Sequence, residues 1–147
     1  MNKLLFLIFL SLSTFEAKAS DIEDDSNHHH IIACTRPINK DKNLPAFAEH
    51  CYVKLVRGTS VVDSRGYFQD VGSVQEDNIF VGTCTMVKRN ASIEDWMKIT
   101  DSYDKHTPEN YSLMSNNCCS VAKEALKLIT ANVPRNITTA NSSIGTK

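Results

Sequence analysis

The stretch from Asn110 to Leu128 (NYSLMSNNCCSVAKEALKL) constrains the fold most, because an Asn-Asn pair leads directly into two cysteines and a helix-like pattern. Either Asn116 or Asn117 suits an N-cap, since a short amide side chain accepts hydrogen bonds from the first N–H groups of a helix. Apolar residues then recur at helical spacing, namely Val121, Ala122, Ala125, Leu126, Leu128 and Ile129. The pattern predicts an amphipathic helix that starts at Cys118 and ends before Pro134.

A cysteine at a helix start lies at the positive end of the helix dipole, which favours the thiolate over the thiol. Thiols at such positions can have a pKa of roughly 3.5–7.5 instead of about 8.5, and the thiolate is the nucleophilic form. The alternative is that Cys118 or Cys119 is a small buried hydrophobe or one half of a disulfide, as is common in exported chains.

The first nineteen residues have the pattern of a signal peptide. Lys3 supplies the positive charge, Leu4 to Leu12 supply the apolar core, and Ala17-Lys18-Ala19 supplies the cleavage site. The apolar run is shorter than the roughly 20 residues of a membrane span. We therefore expect an exported, periplasmic or secreted protein without stable membrane association. Its expected organisation is an acidic disordered segment at 20–27, one domain at 28–133 and a polar tail at 134–147.

Composition excludes few functions. The net charge of −1 gives no electrostatic reason to expect nucleic acid as a partner. The odd number of cysteines fits one functional thiol plus up to two disulfides, and it fits a free buried cysteine equally well; they are Cys34, Cys51, Cys84, Cys118 and Cys119. No CxxC spacing supports a zinc site. Of three consecutive histidines on a strand at most two could share a metal, and a solvated strand entrance is the favoured alternative. We expect neither a metal nor a cofactor.

Strand patterns occupy most of the chain before the first helix. A first strand is predicted at 31–34, a hairpin at 47–56 and 61–68 around Gly58, and another strand at 79–87, with a connection from Gly66 to Asn78. A helix capped by Ser92 follows. If Gly58-Thr59 is a two-residue turn, the hairpin pairs Lys54 with Asp63, Tyr52 with Arg65 and His50 with Tyr67, and puts Cys51, Val53 and Leu55 on the other face. The predicted class is α+β, with a small antiparallel sheet packed against about two helices.

A helix-start cysteine and a strand histidine distant in sequence are the ingredients of a thiol hydrolase. Five histidines could act as the base: His28, His29, His30, His50 and His106. His50 is preferred because it lies within a strand, and His106 ranks second. The alternative for His50 is an ordinary half-buried strand histidine.

Two motifs resemble a family. The segment Tyr111 to Cys118 (YSLMSNNC), together with His50 in AEHCYVKL, is similar to the circularly permuted branch of the NlpC-like papain-fold hydrolases. That branch includes lecithin:retinol acyltransferase-like enzymes and bacterial cell-wall amidases and peptidases. The resemblance implies a permuted papain-like arrangement with Cys118 as nucleophile, His50 as general base, and Tyr111 and Asn117 as binding residues.

Two points depart from the family pattern. No residue declares itself as the one that orients the histidine, and Tyr67 and Asp63 are candidates only if the predicted register holds. The cysteine that follows Cys118 also leaves open whether Cys118 or Cys119 is the nucleophile.

Three functions are compatible with the sequence. The first is an exported cysteine hydrolase that cleaves an amide bond in a peptide or in peptidoglycan. The second is a non-enzymatic secreted binding or inhibitory domain stabilised by disulfides, and the third is an acyltransferase or lipid hydrolase on the same scaffold. The sequence does not indicate whether a cognate inhibitor exists.

Overall fold

A computed structural model of the chain describes residues 27–37, 49–76 and 82–140. The predicted signal peptide (1–19), most of the predicted acidic segment (20–26), the start of the strand predicted at 79–87 (79–81) and the end of the predicted tail (141–147) lie outside the described residues. None of the helices in the described ranges combines the length and the apolar character needed to cross a bilayer.

The architecture is α+β, as predicted. Five strands form one antiparallel sheet in the order β4-β3-β2-β1-β5. They are β1 (His29–Pro37), β2 (Glu49–Arg57), β3 (Ser60–Phe68), β4 (Gly72–Val74) and β5 (Thr83–Lys88). The helices are α1 (Ile93–Tyr103), α2 (Cys118–Lys127) and the short α3 (Arg135–Ala140), with a 3₁₀ turn at Pro108–Asn110.

Alternation along β2 builds the core between the sheet and the helices. Cys51, Val53 and Leu55 lie on one face, as predicted, and belong to the same buried cluster as Ile99 of α1 and Leu126 of α2. A fully buried aliphatic side chain contributes about 1.5–3 kcal/mol relative to an exposed one. This cluster therefore packs α1 and α2 against the central strand of the sheet.

The predicted hairpin register is wrong beyond the turn. Gly58 does serve the turn, with φ 56°, and Arg57 lies opposite Ser60. A bulge between Leu55 and Val56 then shifts the pairing by one residue of β3. Two predicted pairs are replaced, since Lys54 faces Ser64 and Tyr52 faces Gly66, while Asp63 and Arg65 face Leu55 and Val53. The pairing of β2 with β3 ends at Tyr52, so it contains no His50–Tyr67 pair, and Tyr67 faces Ser73 of β4. A bulge sets two residues of one strand against one of its partner, which a simple alternation pattern does not reveal.

Two further segments differ from expectation. The predicted connection at 66–78 contains a short strand, because the chain turns back after β3 and pairs with it as β4. The predicted polar tail is helical at Arg135–Ala140, where Ile137 is fully buried and Asn136 Nδ2 donates a 3.2 Å hydrogen bond to the carbonyl of Ala33. The buried Ile137 side chain and the Asn136 hydrogen bond attach this helix to the core and to β1.

One disulfide joins two strands of the sheet, and a second disulfide joins the sheet to helix α2. Cys34 and Cys84 are cross-strand partners on β1 and β5, and their sulfurs are bonded. Cys51 of β2 is bonded to Cys119 of α2. All five cysteines lie in the described ranges, and the only free one is Cys118. The two bonds confirm the prediction of disulfides, and they indicate an oxidising environment.

Candidate functional site

The start of helix α2 is fixed by the Asn117 side chain. Its Oδ1 accepts hydrogen bonds of 3.0 Å from the backbone N–H groups of Cys119 and Ser120, and its Nδ2 donates to the Leu113 carbonyl at 2.9 Å. The Ser120 hydroxyl in turn accepts from the Asn117 N–H at 2.8 Å, which completes a capping box. Asn117, rather than Asn116, is therefore the N-cap, and Cys118 is the first residue of the helix.

The free thiol and the strand histidine meet at this helix start. The Cys118 thiol, 2 % exposed, and the His50 ring, in a residue 4 % exposed, are hydrogen-bonded to each other. The ring of His50 also stacks on Phe68, with centroids 4.5 Å apart, and on Tyr52 at 5.9 Å. Cys119 is in a disulfide, so Cys118 is the cysteine that can act as a nucleophile.

Glu76 binds the other side of the histidine. His50 Nε2 lies 2.7 Å from Glu76 Oε2, which leaves Nδ1 as the ring nitrogen that can face the sulfur. Ser64 holds the backbone of Glu76, since its hydroxyl donates to the Glu76 carbonyl at 3.0 Å and accepts from the Glu76 N–H at 3.1 Å. Arg36, the cross-strand partner of His50, donates to Glu76 Oε1 at 3.3 Å. The three side chains Cys118, His50 and Glu76 thus form one hydrogen-bonded chain.

Gly66 leaves the space that this arrangement needs. A Cβ at position 66 would lie 3.0 Å from His50 Nε2, 3.2 Å from Glu76 Oε2 and 2.9 Å from Phe68 Cε2. The Phe68 ring would have to move, and the histidine and the carboxylate would have to give by a few tenths of an ångström, so a side chain at this position would press on all three groups.

The Cys118 thiol and the His50 ring shift each other's pKa in opposite directions. Burial lowers the pKa of His50, but the hydrogen bonds with Cys118 and Glu76 outweigh it and raise the pKa above 6.5. Burial is the largest single influence and raises the pKa of the Cys118 thiol. The hydrogen bond and charge interaction with His50, together with backbone hydrogen bonds of Cys51 and Cys119, outweigh burial and bring the pKa below 9.0. Each group therefore stabilises the charged form of the other.

The residues proposed to orient the histidine have other partners. Asp63 accepts hydrogen bonds from Arg65 and from Trp96 Nε1, both at 2.9 Å. The Tyr67 hydroxyl donates to the Thr107 carbonyl at 2.7 Å. Sequence reasoning missed Glu76 because it lies in a segment predicted to be a connection. Its charge is matched by Arg36, which is opposite His50, but that match depends on strand pairing that the sequence does not give.

Of the predicted binding residues, Asn117 directly precedes Cys118, and Tyr111 is near enough for the Cys118 charge to act on its hydroxyl. Tyr111 is half-buried against the ring of Tyr67, with centroids 5.2 Å apart. Burial, together with the nearby Cys118 charge, raises the pKa of Tyr111 to about 12, so its hydroxyl keeps its proton. Asn117 is buried and its side chain caps the helix, which is a positioning role. Substrate contact by either residue stays a prediction.

The remaining histidines lie elsewhere. His30 Nδ1 accepts a hydrogen bond from the Asn90 N–H at 3.2 Å, and His106 packs its ring against Tyr67, with Nε2 3.7 Å from a Glu124 oxygen. His28 and His29 are at the entrance of β1. Within the ranges that the structure describes, no group of three or more His, Cys, Asp or Glu residues is arranged to hold a metal ion.

Comparison of the chain with protein-family models, with curated proteins and with solved structures gives no match.

Proposed function

We propose that this protein is an exported cysteine hydrolase that cleaves an amide bond, with a peptide of peptidoglycan as the substrate class. The observation that supports the proposal is a free thiol hydrogen-bonded to a histidine whose other ring nitrogen is bonded to a buried carboxylate. Nucleophile, base and orienting group in one chain are the components of acyl transfer. The choice of peptidoglycan rests on the resemblance of the YSLMSNNC and AEHCYVKL segments to cell-wall amidases.

The reaction proceeds in two steps. The Cys118 thiolate attacks the amide carbonyl, and the imidazolium of His50 gives its proton to the leaving amine, so that a thioester forms as the C–N bond breaks. Neutral His50 then takes a proton from water, which attacks the thioester and releases the acid, while the sulfur leaves as the thiolate and restores the thiolate–imidazolium pair. Glu76 holds the ring in place and stabilises its charged form in both steps.

The oxyanion forms on the carbonyl oxygen when the thiolate attacks the amide. Fewer N–H groups of helix α2 can stabilise it than at a helix start without a side-chain cap. Asn117 Oδ1 already accepts from the N–H groups of Cys119 and Ser120. The Cys118 N–H is the first donor of the helix, and we assign it to the oxyanion. The Tyr111 hydroxyl, which keeps its proton, supplies the second donor.

Digestion of purified bacterial sacculi tests the proposal. Wild-type protein should release peptides with new free amines, without new reducing ends of glycan. Cys118→Ala and His50→Ala should each lower that rate about a thousandfold or more, since both groups take part in the chemical step. The double variant Cys34→Ala/Cys84→Ala is the control, because it removes a disulfide without touching the three-residue chain. Wild-type protein that releases no amines, or Cys118→Ala protein that releases them at the wild-type rate, would contradict the proposal.

A second candidate is a non-enzymatic secreted domain, which the two disulfides favour. A binding domain would not need a reactive thiol at Cys118. Iodoacetamide at pH 6, followed by mass mapping, separates the two: rapid labelling of Cys118 favours the hydrolase, and absence of labelling favours the binding domain. An acyltransferase or lipid hydrolase would share the reactive thiol but would release no amines from sacculi.

A further inference from the structure

The Cys51–Cys119 disulfide joins the two residues that directly follow the base and the nucleophile. His50 and Cys51 are consecutive on β2, and Cys118 and Cys119 are consecutive at the start of α2. The Cys118 sulfur lies 3.9 Å from the Cys119 sulfur and 3.8 Å from the Glu49 carbonyl oxygen, next to His50. The bridge is thus in contact with the reacting group, although it supplies no reacting atom.

Without this bond, β2 and α2 are held together at this point by apolar packing and by the weak polar contacts of the Cys118 and Cys119 sulfurs with the Glu49 carbonyl and of Cys118 with His50. The elements are 68 residues apart in sequence between the two bridged cysteines, and their shared core is made of apolar side chains. Apolar packing is not directional, whereas a thiol–imidazole pair works only when it is held within about 0.5 Å of its productive geometry.

We propose that the Cys51–Cys119 disulfide is the positioning device of the site, and that Cys118 is reactive only while this bridge is formed. The inference rests on the proposed function, because it assigns a regulatory condition to the same thiol. In the reduced chain, Cys51 and Cys119 are separate thiols and α2 is free to move away from His50. The oxidation state of two sulfurs then controls the nucleophilicity of a third.

The Cys34–Cys84 disulfide provides a matched control. It joins β1 to β5, and its cysteines are 50 residues apart, against 68 for Cys51 and Cys119. The stabilisation that a cross-link gives to a chain grows only with the logarithm of the loop it closes, so the two bridges stabilise the fold to a similar extent. They differ in position, since only one of them links the elements that carry the base and the nucleophile.

The experiment compares Cys51→Ala/Cys119→Ala with Cys34→Ala/Cys84→Ala as full-length proteins. Each double variant keeps Cys118 as its one free thiol, so the iodoacetamide rate can be followed from pH 5 to 10 without competing labels. In wild-type protein and in the control, we expect the midpoint of the profile to lie below that of an ordinary thiol. In the Cys51→Ala/Cys119→Ala variant it should rise by about one pH unit or more, as expected when an opposite charge is lost.

Equal midpoints in wild type and in Cys51→Ala/Cys119→Ala would overturn the inference, and so would an equal upward shift in both double variants. Circular dichroism establishes that each protein is folded before the comparison. If the alanine pair does not fold, Cys51→Val/Cys119→Ala refills the core space and carries the test. A failure of the proposed function can be told apart from a failure of this inference, because it would be seen in the wild-type protein. Wild-type Cys118 would then have the midpoint of an ordinary thiol, or the wild-type protein would release no amines from sacculi.

Discussion

Replacing Glu76 by glutamine tests the chemistry of the site most directly. The side chain keeps its size and an oxygen acceptor but loses its negative charge. Glu76 Oε2 is 2.7 Å from His50 Nε2, and the two side chains are 1 % and 6 % exposed, so solvent does not screen the pair. Any effect of the carboxylate charge on the histidine should therefore appear at full strength.

The size of the effect of Glu76→Gln on the charged form of His50 follows from the contact between the two side chains. Two unit charges about 4 Å apart attract by about 4 kcal/mol at an effective dielectric constant of about 20, and the cost of burying both charges reduces this gain. A hydrogen bond to a charged group contributes about 1.5–3 kcal/mol and a neutral one about 0.5–1.5 kcal/mol. Glu76→Gln should thus cost the imidazolium about 1–2 kcal/mol, a factor of about 5–30 in the thiolate–imidazolium population. Because a thiolate of higher pKa is more nucleophilic, the alkylation rate at pH 6 should fall by only about threefold to tenfold.

The sign of the pH dependence follows from the raised pKa of His50. Stabilisation from a raised pKa is fully present below the unfolded value of about 6.5 and is lost as the pH rises through the folded value. The free energy of unfolding should therefore differ most between wild type and Glu76→Gln near pH 6. The difference should shrink as the pH rises above the folded pKa of His50.

A double-mutant cycle of Arg36→Gln and Glu76→Gln tests whether Arg36 affects the reactivity of Cys118 through Glu76. Arg36 donates to Glu76 at 3.3 Å and so helps to hold the carboxylate in place against His50. Arg36→Gln should therefore also slow alkylation at pH 6, and it should have no further effect in the Glu76→Gln background. Arg36→Lys should recover most of the rate by restoring the charge. Arg65→Gln is the matched control, because Arg65 pairs with a different carboxylate, that of Asp63, at 2.9 Å.

Two results would refute the reasoning about Glu76. One is an alkylation profile of Glu76→Gln that superimposes on the wild-type profile. The other is an Arg36→Gln effect of equal size with and without the Glu76 carboxylate, which would mean that the arginine does not act through Glu76.

Two further predictions concern the surroundings of the site. Tyr103→Phe should raise the free energy of unfolding by about 1 kcal/mol in urea titrations, because the buried Tyr103 hydroxyl has no hydrogen-bond partner among the described residues. Tyr67→Phe should lower the free energy of unfolding by about as much, because the Tyr67 hydroxyl donates a hydrogen bond. A decrease in both variants would contradict this reasoning. Gly66→Ala should slow alkylation of Cys118 at pH 6 because the new methyl group would press on the His50 ring, and a wild-type rate would show that the ring does not depend on this space.

The parts of the structure that depend on neighbouring residues were predictable from sequence. Ser92 caps α1 through its hydroxyl, which accepts from the Asp95 N–H at 3.1 Å, and Asn117 caps α2 in the same way. Gly58 serves the hairpin turn. In each case the stabilising partner lies within three residues, so a local pattern contains the whole interaction.

The parts that depend on distant pairing were not predictable. The bulge leaves Val62 without a partner on β2, and the sequence of either strand alone does not show it. Glu76 reaches His50 from 26 residues away, after the chain has turned back through β4. A carboxylate in a segment that resembles a connection gives no local sign that it will be buried beside a histidine.

The two adjacent cysteines show why sequence alone left the nucleophile open. Consecutive residues on a helix are separated by about 100° around its axis, so Cys118 and Cys119 meet different side chains, although both sulfurs lie 3.8 Å from the Glu49 carbonyl oxygen. Cys119 faces Cys51 and is bonded to it, which leaves Cys118 directed at His50 without a thiol to pair with. A disulfide at this helix start therefore does not argue for a structural cysteine in place of a catalytic one. Only the reactivity of Cys118 separates a hydrolase from a disulfide-stabilised binding domain, because both share the same bridge.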